Sequence, residues 1–150
     1  MSDTQGVNAT PSRVLIVDDE ENVRELLRRI LEPEGYEVIE AADAEEALKR
    51  IELLPPSVAF CDVHLTGANG LWLADQIRAL SPATAMVLAT GDPHVPATET
   101  LRPSVVSYLL KPFSCKRVIA AASAGICWSD EAMARGAHRR PRRQLAPASD

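Results

Sequence analysis

Four apolar runs in this 150-residue chain each stop at a side chain with chemistry to offer. VLIV at 14–17 delivers Asp18-Asp19-Glu20, VAFC at 58–61 delivers Asp62, MVLA at 86–89 delivers Thr90, and YLL at 108–110 delivers Lys111 ahead of Pro112. Taken singly, each has an ordinary structural use: Asp18 and Asp19 as a helix cap and first-turn acid, Thr90-Gly91 as a strand-end turn, Lys111 as a surface cation. Taken together they are carboxylates, a hydroxyl and an ammonium at the ends of successive runs. Carboxylates held close in a low dielectric repel strongly, so such a cluster calls for a cation. A few oxygen-only ligands point to Mg2+, which keeps several of its own waters. With a metal in place the remaining groups suit a phosphoryl group. A carboxylate can attack, the metal and the lysine can neutralise charge, and the hydroxyl can hydrogen-bond a phosphoryl oxygen.

That convergence requires a scaffold that brings the run ends to one edge. Five short β-branched or apolar runs, at 14–17, 36–40, 58–61, 85–89 and 105–110, alternate with helical patterns. Four of them are apolar on consecutive positions, as in strands covered on both faces of a parallel sheet, whereas 36–40 alternates and suits an edge. Apolar residues recur at helical spacing over 21–31, 43–53 and 71–80. Asp43 with Glu46 three residues later is an Asp-headed capping-box pattern. Pro33 and Gly35 end the first helix, and Pro55-Pro56 close the second. Strand–helix alternation predicts a doubly wound α/β domain, in which ligands bind beyond the carboxyl ends of the strands. A fourth helix is due between 91 and 105, but Pro93, Pro96 and Pro103 crowd it and leave only 97–102 for a turn or two. The last helix is expected to start near Ser114 and to run through Ile119 and Ala122 as far as Met133. Beyond it Gly136, Pro141, Pro147 and clustered arginines read as a disordered tail.

The pieces VLIVDDEENVRELL, VAFCDVHLTGANGLWLADQIR, MVLATGD and YLLKPF, in this order and at these intervals, resemble the receiver domains of two-component response regulators. The resemblance covers about residues 13–125 and rests on the whole constellation, an Asp-Asp pair alone being weak. It implies a flavodoxin-like, five-stranded parallel sheet of (βα)5 type, in which the prolines named above leave a shortened or irregular fourth helix. Residues 13–127 would then be the receiver, preceded by a disordered 1–12 and followed by a helix extension and basic disordered tail over 128–150. It further implies that Asp62 is the phosphoacceptor and that Asp18, Asp19, Asp62 and the backbone carbonyl of His64 hold Mg2+, Asp19 directly and Asp18 through water. Thr90 matches the switch hydroxyl, Lys111 the ammonium that pairs with the phosphoryl group, and Tyr108 the aromatic that changes rotamer as Thr90 moves. Receivers usually hold the Lys-Pro bond cis. The implied activity is acceptance of a phosphoryl group from a sensor histidine kinase, a phosphotransfer protein or a small phosphodonor, followed by hydrolysis. On this reading the chain is a switch that catalyses only its own phosphorylation and dephosphorylation. It signals to a downstream effector, with a homodimer as one option. His64 and Asp92 flank the pocket and would tune how fast water reaches the acyl phosphate.

Three departures from the family pattern stand out. Thr66 replaces the proline commonly found before the first glycine of HLTGANG, although Gly67 and Gly70 keep the turn. The proline-rich fourth element alters a face that normally carries partners. No output domain follows, so a stand-alone receiver or a fragment is expected. Elsewhere, His64 and His94 tempt a transition-metal site, but solvent-facing loop side chains are the simpler reading. Leu71, Leu73, Ala74 and Ile77 make the buried face of their helix and leave Trp72 on the polar arc, where partial burial under a loop is preferred over an interface anchor. Cys61, Cys115 and Cys127 are expected to be small packing residues.

Composition sets the outer bounds. The chain is 46% hydrophobic and 25% charged, the profile of one ordinary globular domain rather than a disordered or fibrous chain. Its longest small-and-apolar stretch, 118–128, falls short of the roughly 18 residues a membrane span needs, so no membrane partner is expected. MSDTQGVNATPS carries no secretory signal pattern. Three widely spaced cysteines make no disulfide framework, and reduced thiols in a cytoplasmic protein are the simpler account. Five arginines against Asp150 give residues 135–150 a charge of +4, which leaves −9 on residues 1–134 for a net charge of −5. The tail could bind nucleic acid, but it lacks interleaved aromatics and follows an acidic body, so nucleic acid is not expected. A magnesium-dependent aspartyl-phosphate phosphatase is a further alternative. It is disfavoured because haloacid-dehalogenase-like enzymes carry D-x-D after the first strand, where this chain has Val17-Asp18-Asp19-Glu20.

Overall fold

The computed structural model describes residues 10–65, 68–91 and 102–138. Strands β1 (Arg13–Val17), β2 (Glu37–Ala41), β3 (Val58–Asp62), β4 (Ala85–Thr90) and β5 (Val105–Leu110) form one sheet in the order β2-β1-β3-β4-β5. All four pairings are parallel. Helices α1 (Glu21–Leu31), α2 (Ala44–Leu53), α3 (Gly70–Leu80) and α4 (Cys115–Ala134) connect or follow the strands. This is the doubly wound, flavodoxin-like architecture that the strand–helix alternation predicts.

The consecutive apolar runs have the expected physical reason. Successive strand residues face opposite sides of the sheet, and both sides are covered. Leu15, Val17, Ala59, Cys61, Met86 and Leu88 face one layer with Ile51 of α2 and Leu73 and Ile77 of α3. Val14, Ile16, Val58, Phe60 and Val87 face the other with Leu27 and Leu31 of α1 and Val118 and Ala122 of α4. β2 is an edge strand, as its alternation predicts, one residue later than expected. β5 is the opposite edge and is mostly half-buried rather than covered on both faces.

Local chemistry fixes the helix starts. The Asp43 side chain accepts from the Glu46 amide at 2.8 Å, while the Glu46 carboxylate accepts from the Ala42 amide at 2.9 Å. This reciprocal arrangement is the expected capping box displaced by one residue on its return arm. Ser114 caps α4, its hydroxyl accepting from the Arg117 amide at 3.2 Å. α4 runs the full expected course and one residue beyond it, and Gly125 lets it lie close on β3. A Cβ there would sit 2.7 Å from Val58 Cγ2.

Two expectations about cysteines need correction. Cys61 is buried as expected, but Cys115 and Cys127 are exposed. α4 turns Val118, Ala121, Ala122, Gly125, Ser129 and Ala132 inward, and that stripe leaves both thiols on the solvent arc. Trp72 sits on the outer face of α3 and is 48% exposed, so it is only partly covered. The expected short element at 97–102 lies outside the described residues except for Arg102, as do Thr66, Gly67, Asp92, His94, the segment 1–9 and the tail 139–150.

Candidate functional site

Strand register brings the acids together. Val17 pairs with Cys61 across β1 and β3, so Asp18 and Asp62 are the next positions on neighbouring strands. Asp62 pairs in turn with Ala89 of β4, and Thr90 pairs with Leu110 of β5, which places Lys111 one residue past that strand. The Lys111 amide donates to the Thr90 carbonyl at 2.9 Å and extends the ladder to the site's edge. The Lys111–Pro112 bond is cis.

At this edge the Lys111 ammonium donates to Asp18 Oδ2 and to Asp62 Oδ2, each at 3.0 Å, and lies 4.0 Å from Glu20 Oε1. The second oxygens are held by main chain. The Glu20 amide donates to Asp18 Oδ1 and the His64 amide to Asp62 Oδ1, both at 2.9 Å. Asp18 and Asp62 are buried at 2% and 7% exposure, and Asp19 is exposed. Carboxylate oxygens of Asp18, Asp19 and Asp62 lie within 4.8 Å of one another. Among the described residues this is the one such grouping of His, Cys, Asp and Glu. The His64 side chain is exposed and takes no part in it, and the transition-metal reading through His64 gains no support.

The electrostatics show an excess of negative charge. Burial pushes the Asp18 carboxyl above its ordinary value, and the Asp62 charge adds to that, despite the Glu20 amide and Lys111 pulling down. Burial would lower Lys111, but hydrogen bonds and charge from Asp18 and Asp62 outweigh it and raise the ammonium's pKa. The two shifts differ in origin: burial dominates at Asp18, and the two carboxylates dominate at Lys111. Three carboxylates against one cation, with oxygen donors only, fit a hard divalent ion. Burial, and after it the Asp62 charge, push the neighbouring Cys61 thiol far up.

The loop after Asp62 is shaped by contact rather than by charge. The Val63 amide donates to Ala89 O and the Gly70 amide to Val63 O, both at 2.8 Å, and Asn69 caps α3 by accepting from the Leu71 amide. A Cβ on Gly70 would stand 2.1 Å from the Asp62 carbonyl oxygen, so only glycine allows α3 to start there. Thr90 is fully buried at the end of β4. Tyr108 pairs with Leu88 on β5 and packs half-buried against the α2–α3 layer, below the acidic edge rather than in it. Asp92 lies outside the described residues. Sequence reasoning assigned no role to Arg24, whose guanidinium donates to the Asp18 carbonyl at 2.7 Å. Its partners are six and sixteen positions away, and no local pattern announces them.

The chain is similar to known proteins in sequence and in fold. The family model for the response regulator receiver domain matches residues 14–123. The chain is 36% identical over 107 residues to the alkaline phosphatase synthesis transcriptional regulatory protein PhoP of Bacillus subtilis, covering 71% of this chain and 45% of that protein. It is 34% identical over 114 residues to the transcriptional regulatory protein PdtaR of Mycobacterium tuberculosis, covering 75% of this chain and 56% of that one. The chain thus spans about half the length of these curated relatives. A CheY-like receiver domain protein from Methanospirillum hungatei JF-1 superposes with a TM-score of 0.76 at 28% identity, over 81% of this chain and 98% of that one. No helix among the described residues is long and apolar enough to cross a membrane. With the matched sheet, the acidic edge and the lysine all in register, the chain belongs to the response regulator receiver domain family, the phosphorylation switches of two-component signalling.

Proposed function

We propose that Asp62 is the phosphoacceptor of this receiver and that Asp18, Asp19, Asp62 and the main-chain carbonyl of His64 hold Mg2+. The observation that carries the reading is Lys111 Nζ at 3.0 Å from carboxylates on two different strands, Asp18 and Asp62. An ammonium in that place meets the phosphoryl oxygens as they arrive. When bound, the metal would offset the negative charge of the acceptor carboxylate and of the incoming phosphoryl group. Everything else falls to the chain's own residues. An Asp62 carboxylate oxygen forms the new O–P bond as the donor's N–P bond breaks, and the donor imidazole leaves with that electron pair. The His64 amide keeps the Asp62 carboxylate in line, and Lys111 follows the transferred charge. Water later cleaves the acyl phosphate, releasing inorganic phosphate and restoring the carboxylate, with His64 and Asp92 setting its access. The Thr90 hydroxyl turns toward the phosphoryl oxygens and Tyr108 follows it, so that a local charge event biases a two-state element.

The donor is a sensor histidine kinase or phosphotransfer protein, the reader a downstream effector or a second copy of the chain, and the setting the cytoplasm. Incubation with Mg2+ and acetyl phosphate or phosphoramidate, followed by intact mass, tests the assignment. One added phosphoryl group is expected, absent in Asp62→Asn and in EDTA. Sustained turnover of a phosphate ester would point to a phosphatase, and labelling that survives Asp62→Asn would move the acceptor elsewhere.

A further inference from the structure

Asp18 is held at every polar atom, and one of those holds comes from a distance. Its amide donates to Ala41 O at 3.2 Å, and its carboxylate takes the Glu20 amide and Lys111. Its carbonyl oxygen accepts from Arg24 Nη1 at 2.7 Å. That carbonyl and the Asp19 amide belong to one planar peptide, so fixing the oxygen fixes where Asp19 begins. Asp19 is the exposed member of the acidic trio, and burial does not constrain it. Arg24 is itself immobilised. Its Nε donates to Glu40 Oε1 at 2.9 Å, and the other Glu40 oxygen takes Arg28 Nε at 2.7 Å. Its side chain is only 16% exposed. A guanidinium fork can serve two acceptors at once in a fixed plane, which an ammonium on a flexible stem does not reproduce.

We propose that Arg24 is a positioning residue for the divalent-ion site: by joining the Asp18 carbonyl to Glu40 of the edge strand, it sets the orientation of the Asp18–Asp19 peptide and with it the affinity for the cation. The inference rests on the reading of Asp18, Asp19 and Asp62 as metal ligands. Groups outside the ligand shell that orient it typically change metal affinity about 10–100-fold when removed. The sign of the effect separates positioning from plain electrostatics. Deleting a positive charge near a cation site tightens cation binding by Coulomb attraction alone, whereas deleting a positioning group weakens it.

Mn2+ serves as the probe, titrated into the full chain with free ion followed by electron paramagnetic resonance. Arg24→Met is expected to weaken Mn2+ binding about tenfold. Arg13→Met removes an ion pair with Glu37 at the amino ends of β1 and β2, away from the acids, and it is expected to leave Mn2+ affinity unchanged. Arg24→Lys keeps the charge and the apolar stem, and it decides the case if Arg24→Met does not fold. Weaker binding in Arg24→Lys supports the proposal. A folded Arg24 variant that binds Mn2+ as tightly as the parent, or more tightly, overturns it, as does an equal loss in Arg13→Met. If the parent chain itself binds no Mn2+, the reading of the acidic trio fails first, and that result is distinct from a failure confined to Arg24.

Discussion

At the scale of single residues, the site depends on one missing methyl group as much as on its charges. Gly70 packs where a Cβ would come within 2.1 Å of the Asp62 carbonyl oxygen, and real contacts of that kind do not go below 3.0 Å. Gly70→Ala therefore forces the Asp62 main chain and the start of α3 apart by close to an ångström. Overpacking of this sort is expected to destabilise the protein by about 3 kcal/mol, read from a urea midpoint at unchanged slope. Because the carboxylate proposed as acceptor moves with its backbone, phosphorylation by acetyl phosphate is expected to slow about a hundredfold in the folded fraction. A variant as stable and as fast as the parent would contradict the close packing. Asp18, Asp19, Asp62, Thr90 and Lys111 were legible because each ends an apolar run, and parallel strands bring run ends together. Gly70 was legible only as a turn former, and Arg24 not at all, since a contact with a main-chain oxygen leaves no mark in residue types. The exposed Cys115 and Cys127 were misjudged because single thiols carry no periodicity of their own.

At the scale of elements, α1 is tied to the edge strand β2 by a compact ion network. Glu40 on β2 takes Arg24 and Arg28 from α1, and Arg28 also pairs with Glu32. Partial burial alone would push the Glu40 carboxyl up, but hydrogen bonds and charge from Arg28 and Arg24 outweigh it and hold it below the ordinary glutamate value. A carboxylate whose folded pKa is depressed contributes stability that is present above its unfolded value of about 4.3 and lost as pH falls through the folded one. Glu40→Gln is thus expected to cost about 2 kcal/mol near neutral pH, the range for hydrogen bonds to charged groups. The gap between parent and variant should close as the pH drops below about 4. Urea melts of both proteins at pH 7 and at pH 3 provide the check, and a gap independent of pH would show that packing, not charge, is what the substitution removes. The edge position of β2 was legible from its alternating pattern. Its pairing with α1 was not, because Arg24 and Arg28 lie on a polar arc that reads as plain solvated surface in the sequence.

At the scale of the whole molecule, the two ends of the sheet are closed by different means. The carboxyl edge carries the acids, and the amino edge of β4 is capped by the last turns of α4 and the residues after it. Ser129 is fully buried and its hydroxyl donates to Ala83 O at 2.5 Å, while the Ala83 amide donates to His138 O at 2.8 Å. Ala132 is buried, and Trp128 packs half-buried against the α1–α4 layer. Ser129, Trp128, Ala132 and His138 lie beyond the 14–123 that match the receiver family. The run of small residues in α4 made a long helix legible, but nothing in the sequence said that its last turns and the residues after them would reach Ala83 at the amino edge of β4. We propose that the folding unit extends to about residue 138 rather than ending near 127. A chain stopped at Cys127 loses the Trp128 and Ala132 surfaces and leaves Ala83 O without its hydroxyl donor. It is expected to be less stable than a chain stopped at His138 by about 3 kcal/mol in urea. Because the lost contacts sit at the edge opposite Asp62, Lys111 and the acidic pair, the phosphorylation rate per folded molecule should be the same in both chains. Equal stability would return the boundary to residue 127, and a loss of labelling out of proportion to the loss of folded protein would mean that the two edges are coupled through the sheet.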